Sequence, residues 1–437
     1  MTNAINIRKG YYKKVSKKFD NSFFLCLFVF LSCFIFPLFE SFGLPHFLFF
    51  ANDLIVTFML FILMTKRRLK HPSFIIPIVL FFIAGIFSLA AGNADISLFL
   101  WSIRNFYRFY VFFFFVINFL SFNSLKTVFS IIKILFLINF LLTIIEFACG
   151  IKGDYLGGIF GWTKGVNSST TAFIFMTYCF FLLSCLFNNT VSIYELLAVL
   201  LESLIIAALA ELKFLIVSLL AITVLLVLIS KFSVRKWAFL LTFSLAFVLC
   251  LYLVNDIFSI NSFSLFTKVF WINYFSNSGL IGYNSTNDLN RTGFILKLNT
   301  FFSTSLLNQI LGFGQGFAEV SSISIFQSPF ASNYADILHY NWFLSSFLYI
   351  EMGYFGMIAY LSFFFGLLLF FLKRHKFIEG KFGIIITLFS IILFFYNFSL
   401  RTDSSGYLIY AYLAFSIIAI DYNETNRKIK KGKRKCF

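Results

Sequence analysis

Residues 343–372 read FLSSFLYIEMGYFGMIAYLSFFFGLLLFFL, a run in which Glu351 is the single charged residue. A hydrocarbon core about 30 Å thick takes about 20 apolar residues of helix, so this stretch is more than long enough to cross it. Its start, Asn341 to Ile350, reads as an interfacial helix leading into the span proper. Working outward with the same ruler gives about twelve spans. They fall near 22–42, 47–64, 73–91, 98–120, 127–148, 170–187, 193–210, 213–230, 237–254, 343–372, 383–398 and 406–420. The chain is therefore expected to be an all-α polytopic membrane protein, with one large external loop between the ninth and tenth spans.

Composition agrees. Of 437 residues 60% are hydrophobic and 12% charged, with a mean hydropathy of +0.90. Ordinary soluble chains are about a quarter charged. A globule this apolar would have to hide nearly every side chain, which surface-to-volume scaling forbids. The seven cysteines, at 26, 33, 149, 179, 185, 250 and 436, are an odd count lying mostly inside apolar runs. They read as small buried hydrophobes rather than a disulfide framework or a metal site.

Lys and Arg resist translocation and collect in cytoplasmic loops. With the N-terminus inside, most of the 35 Lys and Arg fall in segments that the assignment places in the cytoplasm. Arg104, Arg108, Lys152, Lys164, Lys213, Lys268, Arg291, Lys297 and Arg401 face or approach the outside. The net charge of +17 is thus a topology signal, not a nucleic-acid footprint. The chain divides into a basic cytoplasmic N-terminus (1–21), nine spans over 22–254 with an external loop at 150–169, a large external loop (255–340), three spans over 341–420, and a basic cytoplasmic tail (421–437) expected to lie against anionic lipid. Within the large loop, Ile295, Leu298, Phe302, Leu306 and Ile310 recur at a helical period. This predicts one amphipathic helix on the outer interface, ending in Gly312-Phe-Gly314-Gln-Gly316.

Ionisable residues near membrane depth are functional candidates by default. Arg104 and Arg108 stand four apart on one helix face among aromatic residues, a spacing suited either to a diphosphate or to interfacial anchoring. Lys213 sits at a tight external turn beside Glu211. Arg291 precedes the amphipathic helix, where a cation reaches lipid phosphates. His339, Asn341 and Glu351 mark the point where the large loop re-enters the membrane, and an imidazole there has the right ordinary pKa for a general base. The sequence has no Gly-Lys-Ser/Thr phosphate loop, HExxH, Gly-x-Ser-x-Gly elbow or clustered Asp pair, so an ATP-driven pump or a zinc protease is disfavoured.

The order Arg291-Thr-Gly-Phe, Leu311-Gly312-Phe-Gly314-Gln-Gly316-Phe, His339-Tyr-Asn341-Trp-Phe-Leu344 and Glu351-Met-Gly353-Tyr-Phe-Gly356 resembles the bacterial O-antigen polymerase (Wzy-type) and O-antigen ligase superfamily. Gly157-Gly158-Ile-Phe-Gly161 and Ala210-Glu211-Leu-Lys213 fall where that family has its first external loop and a basic residue. The resemblance implies a GT-C-like inner-membrane fold and a periplasmic, metal-independent glycosyl transfer. The donor and acceptor would be undecaprenyl-diphosphate-linked glycans, with no cofactor, and a chain-length regulator is a candidate protein partner. Carried over, Arg291 and His339 are the catalytic candidates and Lys213 a diphosphate-binding one; Arg104 and Arg108, read from their own spacing, and Asn341 complete the diphosphate- or substrate-binding candidates. In the family the Asn usually follows the His directly; here Tyr340 intervenes, and Lys213 stands where an arginine is common. The leading expectation is a polymerase of O-antigen or a related surface polysaccharide. The alternatives are the ligase that moves glycan onto lipid A core and, from another class, a lipid-linked oligosaccharide flippase.

Overall fold

The structure, a computed structural model, describes residues 21–42, 50–92, 94–162, 193–209, 213–229, 293–321 and 323–435, with isolated positions at 178, 181, 234, 236–238, 240–242, 244–245, 248, 252, 289 and 291. Every regular element among them is helical. In chain order these are α1 (Asn21–Ser41), α2 (Phe50–Met64), α3 (Ile75–Ala91, preceded by a 3-10 turn from Pro72), α4 (Ile96–Phe119), α5 (Phe122–Ala148), α6 (Ile193–Leu209), α7 (Lys213–Ile229), α8 (Phe294–Phe301), α9 (Leu306–Leu311), α10 (Pro329–Leu338), α11 (Leu344–Leu372), α12 (Ile378–Tyr396) and α13 (Asp403–Lys435).

Among the described residues five helical stretches are long and apolar enough to cross a membrane: Pro72–Ala91, Phe122–Ala148, Leu344–Leu372, Ile378–Tyr396 and Asp403–Arg427. Shorter apolar helices accompany them, an architecture compatible with a polytopic membrane protein. The expected spans at 170–187 and 237–254, the loop stretch 253–288 and the N-terminal residues 1–20 lie outside the described residues, apart from the isolated positions above.

The bundle is built around α13. Within its apolar stretch 94% of residues are buried, against 28% for Pro72–Ala91. It packs against α1, α4 and α12, while α11 packs against α12, α3 and α9. Aromatic rings fill the seam between α4, α11 and α13, with Tyr110 edge-on to Phe363 at 4.9 Å and Phe109 edge-on to Tyr407 at 4.8 Å. Such edge-to-face pairs add to the stabilisation given by buried area. The outer helices keep apolar residues on their exposed sides, including Val79, Ile86 and Phe87 of α3 and Leu137, Leu141 and Ile145 of α5. Lipid tails are as apolar as leucine, so such a surface needs no polar face.

Polar contacts concentrate at the two ends. At one, Lys66 Nζ donates to the Asn118 carbonyl at 2.8 Å and Lys70 Nζ to that of Ile117 at 3.1 Å, so two ammonium groups meet the carbonyl end of α4. There too His71 meets Asp421 at 2.9 Å and Arg374 meets Glu424 at 3.0 Å. α13 runs on as helix through the stretch expected to be a separate tail.

Two sequence expectations change at the opposite end. The single amphipathic helix from Ile295 to Ile310 is broken into α8 and α9 at Ser303, whose φ is 46°. The run Ser303-Thr304-Ser305 offers the backbone local partners in place of a helix: Thr304 Oγ1 donates to Asn299 Oδ1 at 2.9 Å, and Ser305 caps α9 by accepting the Asn308 N–H. The second change is in α11, which breaks at Gly353 (φ 58°, ψ −158°) into Leu344–Met352 and Tyr354–Leu372. That break frees the carbonyls of Ile350 and Glu351. Phe313 N–H donates to the first at 2.8 Å; Gly314 N–H at 3.0 Å and the Ser88 hydroxyl at 2.5 Å donate to the second. A Cβ on Gly353 would strike the Ile310 carbonyl, and one on Gly312 (φ 76°) would strike the Glu351 carbonyl.

Gly353→Ala and Gly312→Ala are each expected to destabilise the protein by about 1–3 kcal/mol through backbone strain alone. Thermal unfolding in detergent reads this as a lowered midpoint. Gly366→Ala, in a helical position with open space around it, is the control and leaves the midpoint unchanged or raised.

Candidate functional site

The end of the bundle opposite His71 gathers most of the buried charge. The first half of α4 presents two neighbouring faces there. Arg104 and Arg108 lie on one, Ser102 and Asn105 on the other, as the helical repeat requires.

The arginine face meets Asp53, in the first turn of α2, and Asp403, the first residue of α13. Arg104 pairs with Asp53 Oδ2, donates to Asn105 Oδ1 at 2.8 Å, and lies over the Trp101 ring at 4.2 Å and Phe50 at 5.0 Å. Arg108 is buried; it reaches Asp53 Oδ1 at 3.4 Å and pairs with Asp403, while its Nε has no partner. Both arginines proposed from sequence thus share a carboxylate, and Arg104 remains a quarter exposed. An acidic residue at each helix N-terminus also answers the positive end of the helix dipole.

The second face meets the segment Gly312–Glu319. Arg401, in the turn before α13, pairs with Glu319 Oε1, and Asn105 Nδ2 donates to Glu319 Oε2 at 3.4 Å. The Ser102 hydroxyl is hydrogen-bonded to Glu351 Oε2 at 3.1 Å and accepts from Gln315 Nε2 at 3.4 Å. Glu319, Glu351 and Gln315 are fully buried. Arg401 lies over Phe347 at 4.3 Å and Phe106 at 4.8 Å, so the guanidinium is held by aromatic faces as well as by the carboxylate. Burial pushes the Glu319 carboxyl above its usual range, and Arg401 draws it part of the way back.

His339 and Arg291 come from separate parts of the chain and meet the same corner. Leu289 N–H donates to the Leu338 carbonyl at 3.0 Å, which ties the approach to Arg291 against the end of α10. Arg291 Nε donates to the Tyr396 carbonyl at 3.0 Å, and its guanidinium lies 4.5 Å from the Tyr396 ring and 5.7 Å from Phe343. His339 follows α10 in the left-handed conformation (φ 49°) and stacks on Trp342 at 4.1 Å. Asn341 is half-buried, and its Oδ1 has no hydrogen-bond partner. Tyr340, between them, is turned inward and donates to the Ala318 carbonyl at 2.8 Å. Lys213 opens α7; its side chain, like Glu211, lies outside the described residues.

Among the sequence candidates the structure therefore joins Arg104 with Arg108 and brings Arg291 near the His339–Phe343 segment. It adds Asp53, Asp403, Glu319, Ser102 and Asn105, which sequence reasoning passed over. The signal for the three carboxylates was the scarcity of acidic residues, 18 in 437, beside the apolar runs; Ser102 and Asn105 had none. No group of three metal-ligating side chains occurs among the described residues. Comparison of the chain with known protein families, curated proteins and solved structures finds no match.

Removing one partner of a buried ion pair leaves an uncompensated charge, at about 3–5 kcal/mol, whereas replacing the whole pair by apolar residues is close to neutral. Arg401→Ala is expected to lower thermal stability by that order. The double variant Arg401→Met/Glu319→Leu is expected to recover most of the loss, and a double variant as unstable as the single would show that the pair acts through packing instead.

Proposed function

We propose that the chain is a glycosyltransferase of the inner membrane, with about twelve spans in a GT-C-like arrangement and both termini in the cytoplasm. Its reaction joins undecaprenyl-diphosphate-linked repeat units into O-antigen or a related surface polysaccharide on the periplasmic face. The observation that carries the proposal is the convergence of Arg291 on the segment that holds His339 and Asn341. On this reading Arg291 neutralises the leaving diphosphate, and His339 takes the proton of the attacking sugar hydroxyl. Diphosphate leaves readily once its charge is neutralised, so a preorganised guanidinium supplies much of the barrier lowering. Arg104, a quarter exposed beside Asp53, is the further cation offered to the carrier lipid. Asn341, with an unpartnered Oδ1, is the polar group offered to a sugar.

A lipid-linked oligosaccharide flippase is the second reading, because transporters use broken helices and ionisable residues within the bundle. Glu351 and the break at Gly353 have that character. Their depth speaks against it. The segment Tyr354–Leu372 alone is about 28 Å long at 1.5 Å per residue, enough to cross the hydrocarbon by itself. Glu351 and its partners therefore sit at one end of the bundle, whereas transporter sites lie near the midplane.

The test is the surface-polysaccharide ladder of a strain lacking the protein, complemented at matched membrane abundance with wild type, Arg291→Ala or His339→Ala. Lipid A core capped by a single repeat unit in the null strain, with the ladder restored by wild type alone, is the expected result. Core without any repeat unit would point to the ligase or the flippase, and an unaltered ladder would remove the proposal.

A further inference from the structure

The buried cluster beside α4 contains two carboxyl groups and one guanidinium, and its charges can be counted. Three of the four carboxyl oxygens have side-chain partners: Glu319 Oε1 with Arg401, Glu319 Oε2 with Asn105, and Glu351 Oε2 with Ser102. Glu351 Oε1 is fully buried with no partner, although the Gly316 N–H also bears on that carboxyl. Ser102 is hydrogen-bonded to Glu351 Oε2 at 3.1 Å, the one side-chain hydrogen bond of that carboxyl. One guanidinium serves two fully buried carboxyls here, and Arg401 is committed to Glu319, so Glu351 is left with a single side-chain contact, to serine, and no counter-charge of its own. Gln315 uses its amide to donate to the same Ser102 oxygen and supplies nothing to either acid.

We propose that Glu319 and Glu351 form a proton-binding site, in which Glu351 holds one proton beside the Glu319–Arg401 pair. Glu351 carries it on Oε2, 3.1 Å from Ser102 Oγ, and Glu319 stays ionised against Arg401. This order leaves Glu351 Oε1 as the carbonyl oxygen of a neutral acid, whose missing partner is far less unfavourable than that of an anionic oxygen. It also leaves the dry cluster with one negative and one positive charge. Like-charged carboxylates sharing a buried site resolve their repulsion in this way.

The site closes a contact between two segments. Glu319 belongs to the stretch that begins at Gly312, and Glu351 belongs to the broken end of α11 whose carbonyls that stretch covers. Loss of the proton sets two anions against each other across this seat. The other groups that bear on the pair are Arg401 and Tyr340, with Asn105 from α4; α3, which also lines the seat, has no charged residue. The inference is independent of glycan transfer.

Infrared spectra of the full-length protein in lipid vesicles at neutral pH test it through the carbonyl band of a protonated carboxylic acid. The expected result is a band in the wild type that Glu351→Gln removes and that Asp421→Asn, at the other end of the bundle, leaves in place. A wild-type spectrum that Glu351→Gln does not alter overturns the proposal. If Glu351→Gln does not accumulate, Ser102→Ala replaces it: the acid loses its acceptor and the band moves to the frequency of a free acid, while an unmoved band overturns the assignment. A second readout is thermal stability against pH. An unfolded glutamic acid loses its proton near pH ~4.3. Above that value the native chain holds a proton that the unfolded chain does not, so stability falls as pH rises until the pair itself ionises. Glu351→Gln is expected to flatten this slope, and an equal slope in the two proteins counts against the site.

Discussion

A buried backbone carbonyl without a donor is costly, and the break of α11 at Gly353 makes two of them. Phe313, Gly314 and Ser88 meet that demand. The demand draws the stretch after α9 onto the end of α11, and with it come Gln315 and Glu319. Once Glu319 is buried it needs a cation, which fixes Arg401 and hence the turn into α13. Asp403 follows two residues later and reaches Arg108, whose other carboxylate partner, Asp53, ties α2 to α4. One irregularity in one helix thus propagates through hydrogen bonds and ion pairs to four others.

The charges gathered there are unusual for a bundle so apolar, because each desolvated ion is tolerated only with its partner in place. Their placement is ordered. Glu319 with Arg401 and Asp53 with Arg104 and Arg108 are separate groups, linked by the hydrogen bond from Arg104 to Asn105 and by Asn105 in turn to Glu319. α4 is the common wall. Its regular repeat sends Ser102 and Asn105 one way and Arg104 and Arg108 the other, so a single helix serves two polar groups without opening its own backbone.

The spans were legible because apolar length is a one-dimensional property: α3, α4 and α11 begin and end within a few residues of the runs read from composition. The glycines of 312–316 were legible as a turn, yet their partner was not, since nothing along the chain pairs Gly312 with Glu351. Arg104 and Arg108 stood out as cations on one face, while Asp53 and Asp403 did not, because a lone acidic residue at the edge of an apolar run looks like a helix start. Its role as a counter-ion exists only after distant helices meet. Ser303 misled for a related reason. The apolar period continues across it, and the three hydroxyl residues at 303–305 break the helix through local hydrogen bonds that hydropathy does not record.

On the proposed function, placing the charge at one end rather than at mid-depth separates two demands that a lipid-linked substrate would make. A long apolar tail needs a surface like the exposed side of α3, where Ile76, Val79, Ile83, Ile86 and Phe87 are exposed and no polar residue is. A diphosphate head needs fixed cations at the level where the hydrocarbon ends. In that reading Arg291 would serve this need in a way a flexible lysine would not. Its Nε is held by the Tyr396 carbonyl and its plane lies against two aromatic rings. The fork is therefore oriented before any ligand arrives, and orientation gained in advance is what lets a cation favour a transition state over the ground state that precedes it.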